Sequence, residues 1–362
     1  MRRKSLPVKV ANVMIGGRAP VSLQSMTNTD TSDVVATLEQ VDKLRVAGCE
    51  LIRLAVTNKS DAKALGVIKK HISLPVIADI QFDFRLALLS IEEGADKIRI
   101  NPGNIGGKAK LIYIVEKAKE KGVPLRIGVN SGSIDKVLRA KHGGATADAL
   151  VESALQTIDF LEKNSFQNII ISLKAASVIT TISAYKKIAD CTPYPLHIGV
   201  TEAGRGLKGT VKSSMGIGSL LLDGIGDTVR VSLTGDPVEE IFVAKEILQA
   251  AGLRSFGPDI ISCPTCARCK IDLENLVKKV EEMVQGIDFP LKIAVMGCPV
   301  NGPGEAREAD IGISGSENFG IIFKEGRVFK KVPLPELFES LEKEIKEILT
   351  QKKHCVGTED EF

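Results

Sequence analysis

The chain has 362 residues, 44% of them hydrophobic and 26% charged, with a formal net charge of +3. That balance excludes a disordered chain, and near-neutrality excludes a dedicated nucleic-acid binder. No apolar run reaches the ~18 residues of a membrane span, and the basic start has no apolar stretch behind it, so a cytoplasmic protein is expected.

Short apolar runs alternate with amphipathic stretches over the first two thirds of the chain. The pattern predicts strands at 21–24, 51–56, 76–79, 97–100, 125–129, 168–173, 196–200 and 228–231. Helices are predicted between and after them, at 34–47, 62–70, 85–92, 108–121, 146–164, 176–189, 211–222 and 238–251. Eight strand–helix pairs make the α/β pattern of a (β/α)8 TIM-type barrel, against a doubly wound sheet as the rival. Gly and Pro near 255–262 break the pattern, so a barrel domain of 1–254 is expected to give way to a small α+β domain of 255–362. That domain is predicted to open with a helix at 273–284. A strand at 292–295, a Gly/Pro loop at 298–304, strands at 311–314, 320–323 and 327–331 and a charged helix at 335–349 follow.

In such a barrel the chemistry lies at the C-terminal ends of the strands. There the chain places Arg53, Asp79, Arg99, Asn101, Arg126, Asn130, Lys174, Glu202, Arg230 and Ser232. Arginines and a lysine on strands of Ile, Val and Leu need counter-charge, because a buried unpaired cation costs several kcal/mol. Pairing with Asp79 and Glu202 leaves most of them unmatched, and guanidinium forks suit phosphate oxygens, so a phosphate or diphosphate ligand is expected. Gly204-Arg-Gly206-Leu-Lys-Gly209 fits the dinucleotide fingerprint without the acid that reads a ribose. It is taken as a flexible loop whose amides and Lys208 could approach phosphate, or as a plain turn. His197, amid Pro195-Leu-His-Ile-Gly199, is expected to be a hydrogen-bonded core residue before a base.

Seven cysteines in a chain read as cytoplasmic do not form a disulfide framework. Cys49, Cys191 and Cys355 are scattered and read as ordinary thiols. Cys263-Pro-Thr-Cys266-Ala-Arg-Cys269 and Met296-Gly-Cys298-Pro-Val-Asn-Gly-Pro-Gly-Glu305 form a metal-type cluster. A lone second-half Cys followed by Pro favours iron–sulfur over zinc, with Cys269 or Glu305 open as the further ligand.

The cysteine run resembles the 4-hydroxy-3-methylbut-2-enyl diphosphate synthase family. So do Ile-Arg-Ile-Asn-Pro-Gly-Asn-Ile-Gly, Arg-Ile-Gly-Val-Asn-Ser-Gly-Ser, His-Ile-Gly-Val-Thr-Glu-Ala-Gly and Asp-Thr-Val-Arg-Val-Ser-Leu-Thr. The resemblance implies reductive ring opening and dehydroxylation of 2-C-methyl-D-erythritol 2,4-cyclodiphosphate in isoprenoid precursor biosynthesis, with two electrons from flavodoxin or ferredoxin. It implies a [4Fe-4S] cluster on Cys263, Cys266, Cys298 and Glu305, the last also catalytic through its iron. Arg53, Arg99, Asn101, Arg126, Asn130, Lys174, Arg230 and Ser232 would clamp the diphosphate, with Asp79 and Glu202 near the reacting carbons. It further implies a homodimer in which one chain's cluster domain faces the partner's barrel. Gln81 stands where the family usually has His, and Cys269 where it need not have Cys. The residues leave two other readings: a non-redox phosphate-ester enzyme with a structural zinc module, and an iron–sulfur sensor whose barrel only binds a ligand.

Overall fold

The computed structural model describes residues 1–298, 304 and 307–356, with 352–356 as backbone only. It divides into two compact units, Met1–Arg254 and Ser255–Phe362.

In the first unit eight parallel strands form one sheet: Ser22–Met26, Leu51–Val56, Val76–Ile80, Lys97–Ile100, Leu125–Asn130, Ile169–Lys174, His197–Ile198 and Thr228–Val229. A parallel bridge between Ile171 and Leu196 joins the two ends of that sheet, so the strands close into the expected barrel. The strands are buried almost throughout, as parallel strands covered on both faces must be. Most of the helices open on a capping side chain: Asp33, Asn58, Thr146, Ser177 and Asp236 each accept a first-turn N–H, whereas Gly107 ahead of Lys108–Lys121 offers none.

The sequence reading misses the N-terminal hairpin of Val8–Val10 with Val13–Ile15. Its strands are three residues long, and its turn runs through Ala11 at φ 49° without the Asn-Gly signal that usually marks one. Val8, Val10 and Ile15 pack on Leu51, Ile77 and Ile170 at the starts of three barrel strands and form an apolar floor.

The last two barrel strands are shorter than the predicted 196–200 and 228–231. Beyond them the chains still lie together, with Arg230 N–H bonded to the Ile198 carbonyl (3.1 Å), but no ladder continues. The expected loop at 204–209 is also corrected. A helix runs from Gly206–Ser213 through a π-turn at Ser214–Gly218 into Ser219–Leu222, and Lys208 is exposed on it. Gly209 is required for packing: a Cβ there would stand 2.5 Å from the Gly204 carbonyl oxygen and 2.6 Å from Leu233. A short helix, Lys136–Lys141, was likewise not expected.

The second unit is a five-stranded sheet in the order Asp259–Ser262, Lys292–Met296, Ile311–Gly315, Phe319–Lys324, Arg327–Pro333. It opens with a strand, not with the predicted helix. Asp259–Ser262 is only half-buried, and it is strand because Lys292–Met296, more than thirty residues on, pairs with it. Helices Leu273–Val284 and Leu337–Val356 cover one face of the sheet, with Val280, Ile293, Ile313 and Leu341 in the core between. The predicted loop at 298–304 lies largely outside the described residues.

Candidate active site

Strand register brings most of the expected residues to one place. Successive strand residues point to opposite faces, so Arg53, Asp79, Arg99, Arg126 and Lys174 must all sit at inward positions to share a cavity. They do: with Asn130, Arg230 and Ser232 they line a cavity of about 140 Å³ at the C-terminal ends of the strands. Gln81, Ser172, Val200 and Thr201 complete its wall. Gly128 makes room for a cation, since a Cβ there would meet the Arg99 guanidinium at 2.7 Å.

Two carboxylates partly balance the five cations. Asp79 Oδ1 takes Arg99 Nη1 at 2.9 Å and its Oδ2 faces Arg53 Nε at 3.8 Å. Burial opposes ionisation of Asp79, but Arg53, Arg99 and Arg126 outweigh it and hold its pKa below the usual value. The second carboxylate is Glu240, bonded to Arg230 Nη2 at 3.2 Å. The expected partner Glu202 does not fill this role: it is exposed, at φ 54°, on the turn after the seventh strand, and does not line the cavity. Glu240 escaped the sequence reading because it lies on the helix after the eighth strand, where a glutamate reads as a helix former.

Arg126 and Lys174 have no ion-pair partner among the described residues, although they are 1% and 7% exposed. Burial lowers both pKa values well below the ordinary ones, and for both the neighbouring arginines add to it. Arg53 falls to about 9 through burial, with Arg230 and Arg99 adding to the effect and Asp79 opposing it. Each of these cations gains from an anion entering the cavity.

Beneath them lies a layer the sequence reading passed over. Lys97 is fully buried two residues before Arg99 on the same strand face, and its Nζ has no hydrogen-bond partner among the described residues. The alternation in Lys-Ile-Arg-Ile was the available signal. Both amide atoms of Gln24 and both ring nitrogens of His197 are also buried without partners among the described residues. His197 is thus a core residue, as expected, but its ring has no hydrogen-bond partner among the described residues, while its carbonyl accepts from the Tyr185 hydroxyl at 2.5 Å. Burial first, then Arg126, Lys174, Lys97 and Arg53, keep the His197 imidazole neutral.

Asn101 is buried, but it is not part of the cavity wall. Its Oδ1 accepts the Gly103 N–H (3.2 Å) and shapes the loop after the fourth strand. Gln81 Nε2 donates to Asp79 Oδ2 at 3.2 Å, so this position of the wall holds an amide that takes up no proton.

In the second unit the thiols sit where strands end. Cys263 Sγ accepts the Gly297 N–H at 3.1 Å, and Cys298 follows directly, 8% exposed. Cys269 Sγ lies against Gly297, where a Cβ would come within 2.5 Å of it, and points to the Ile271 carbonyl at 3.3 Å. Cys266 is exposed, its pKa lowered first by the Arg268 N–H. Among the described residues no three Cys, His, Asp or Glu side chains stand close enough to hold a metal, and Glu305 lies outside them. In kind the donor set suits an iron–sulfur group: soft thiols from two chain segments meet at one glycine, with an N–H already directed at sulfur. Cys49 is buried near the barrel floor with its thiol pushed up to about 12 by burial, an inert position. Cys191 is exposed and remote in sequence from the cluster, while the side chain of Cys355 is outside the described residues.

Comparison with known proteins agrees with both units. The family description "GcpE TIM-barrel domain" matches residues 5–245, and "GcpE protein C-terminal domain" matches 259–347. A protein of Fusobacterium nucleatum is 56% identical over 98% of this chain and 100% of its own length. One from Caldanaerobacter subterraneus is 53% identical over 97% of this chain and 99% of its own. Both are named 4-hydroxy-3-methylbut-2-en-1-yl diphosphate synthase (flavodoxin). The solved structure of dihydropteroate synthase from Stenotrophomonas maltophilia aligns with 68% of this chain and 98% of that one, at TM-score 0.51 and 13% identity, a likeness of fold alone. No helix among the described residues is long and apolar enough to cross a membrane. The chain belongs to the GcpE family, that of the 4-hydroxy-3-methylbut-2-en-1-yl diphosphate synthases.

Proposed function

We propose that this chain reduces 2-C-methyl-D-erythritol 2,4-cyclodiphosphate to 4-hydroxy-3-methylbut-2-enyl diphosphate, as an oxidoreductase of isoprenoid precursor biosynthesis. Two electrons and two protons enter, the ring C–O bond and the neighbouring C–OH bond break, a carbon–carbon double bond forms, and water leaves. The electrons come from flavodoxin, as in the relatives' names, or from ferredoxin.

The observation that carries this reading is the charge of the barrel cavity. Five cations meet two carboxylates there, and Arg126 and Lys174 are left without a partner among the described residues. A diphosphate supplies what is missing. Arg53, Arg99, Arg126, Lys174 and Arg230 would bind its oxygens from several sides, with Asn130 and Ser232 donating at the edge of the cavity. Such fixed donors stabilise charge that develops as the ring opens, without reorganising. Asn101 shapes the loop beside them. Asp79 keeps Arg53 and Arg99 oriented and stays ionised near the reacting carbons. Glu202, on its exposed turn, would pass a proton to the leaving hydroxyl. Cys263, Cys266, Cys298 and Glu305 would hold a [4Fe-4S] cluster, which supplies single electrons and a Lewis-acidic iron when bound. The reading includes a homodimer with one chain's cluster domain facing its partner's barrel, to be weighed in solution by light scattering.

The comparisons lend no support to a non-redox phosphate-ester enzyme with structural zinc. The test is direct. Anaerobically prepared protein should be brown, contain iron and sulfide, and convert the cyclodiphosphate when given a one-electron donor. Colourless protein with zinc, or no product under reducing conditions, overturns the reading. Unchanged turnover in a folded Glu202→Gln enzyme removes the proton role of that residue.

A further inference from the structure

Of the carboxylates at the cavity, Asp79 was expected and Glu240 was not. Glu240 stands in the first turn of helix Pro237–Ala250, outside the barrel strands, yet it is 3% exposed. Its two oxygens accept three hydrogen bonds from three different places. Oε2 takes the Ser25 hydroxyl of the first strand at 3.1 Å. Oε1 takes Arg230 Nη2 at 3.2 Å and the Leu233 N–H at 3.1 Å.

Each bond has a consequence for the cavity. Arg230 lines it, and with Nη2 tethered the rest of the guanidinium is held at one angle, its Nε buried without a partner among the described residues. The Leu233 bond fixes the residue next to Ser232, another part of the wall. One residue further, the Thr234 N–H bonds the Gly204 carbonyl at 3.0 Å, and Leu233 packs beside Gly209. A single carboxylate therefore ties the first strand, the eighth-strand arginine and the loops after strands seven and eight into one frame.

We propose that Glu240 is the positioning residue for diphosphate recognition, acting through Arg230 and the loop that carries Ser232. This rests on the diphosphate reading above and names a residue that sets it up. Glu240 itself touches no ligand. It aims an arginine that does, and a guanidinium with one edge fixed presents its remaining donors in a planar fork suited to phosphate oxygens.

A double-mutant cycle tests this on the full-length, anaerobically reconstituted protein, with inorganic diphosphate as the probe in a calorimeter. Glu240→Gln should weaken diphosphate binding about tenfold, which is 1.4 kcal/mol. Arg230→Ala should weaken it further. In the Arg230→Ala background, Glu240→Gln should change affinity less than twofold, because the group it acts through is gone. The same tenfold loss in both backgrounds overturns the proposal and makes Glu240 a general structural residue. If Glu240→Gln does not fold, Glu240→Asp keeps the charge one methylene shorter. Its smaller loss must likewise vanish without Arg230, and a loss that persists overturns the proposal. Failure here is separable from failure of the function. A wild-type protein that turns over the cyclodiphosphate while the cycle is additive refutes only the role of Glu240, and one that shows the cycle but no turnover refutes only the reaction.

Discussion

In the first unit Arg53, Arg99, Arg126 and Lys174 sit within strands whose neighbours on both sides fix their register. In the second, Cys263 comes just after Asp259–Ser262 ends and Cys298 two residues after Lys292–Met296 ends, so the thiols ride on loops. A ladder of backbone hydrogen bonds orients side chains with no ligand present, at the cost of keeping like charges close together. Loop donors avoid that repulsion but leave their final arrangement to whatever they bind. One site is a set of cations held by strand register, and the other is a set of thiols gathered around a glycine.

The largest effect that tests this contrast is expected at Cys298. Cys298→Ser should abolish iron and sulfide content and turnover, while calorimetric affinity for inorganic diphosphate stays within about twofold, because the barrel builds its site alone. Loss of diphosphate affinity in the same variant would erase the distinction between the two units.

Next comes the difference between an unpaired and a paired arginine. Arg126→Met should cut kcat/KM roughly 10²–10³-fold, as removal of a buried charged contact does, while Tm holds or rises because an uncompensated cation has left the interior. Arg99→Met should instead lower stability by about 3 kcal/mol, since Asp79 loses its 2.9 Å partner. Equal Tm losses in both variants would mean that Arg126 is not the uncompensated charge described above.

A smaller effect concerns pH. The native pKa of Asp79 is below its unfolded value, so its contribution to stability is present above about pH 4 and is lost as pH falls through the native pKa. Wild type should therefore exceed Asp79→Asn in Tm at pH 7, and the gap should narrow steadily below pH 4 in a calorimetric series. A gap independent of pH would place the role of Asp79 in its shape and not its charge.

The smallest effect is expected at Lys208. On an exposed helix and not in a phosphate loop, its replacement by Ala should change KM less than about twofold. A larger change would revive the loop reading and extend the cation set beyond the strands.

Much of the barrel could be read from the chain because its signals are local. Each strand run is short and apolar, most helices have a capping side chain, and an arginine within Leu-Ile-Arg-Leu or Ile-Arg-Ile stands out against its neighbours. The same locality explains the misses. The N-terminal hairpin draws its stability from Leu51, Ile77 and Ile170, which are far along the chain. Asp259–Ser262 is a strand through a partner more than thirty residues away. Asn101 carried the expected residue type, but its side-chain oxygen serves its own loop. Glu202 was expected as an internal ion-pair partner from its place after a strand, and a turn at positive φ leaves it exposed instead.

The sequence by itself determined the order of the eight strand–helix pairs of the barrel, the surplus of cations at the strand ends and the clustering of four cysteines around two loops. Period, capping and spacing are properties of neighbouring residues, so they survive without coordinates. Only the tertiary structure decided which carboxylate answers which arginine. It gave Arg230 to a glutamate on an outer helix, left Arg126 and Lys174 without an ion-pair partner among the described residues, and set Lys97 beneath them in the closed barrel. Charge pairing acts through space over a few ångströms, and the chain distances that bring those groups together carry no trace of it.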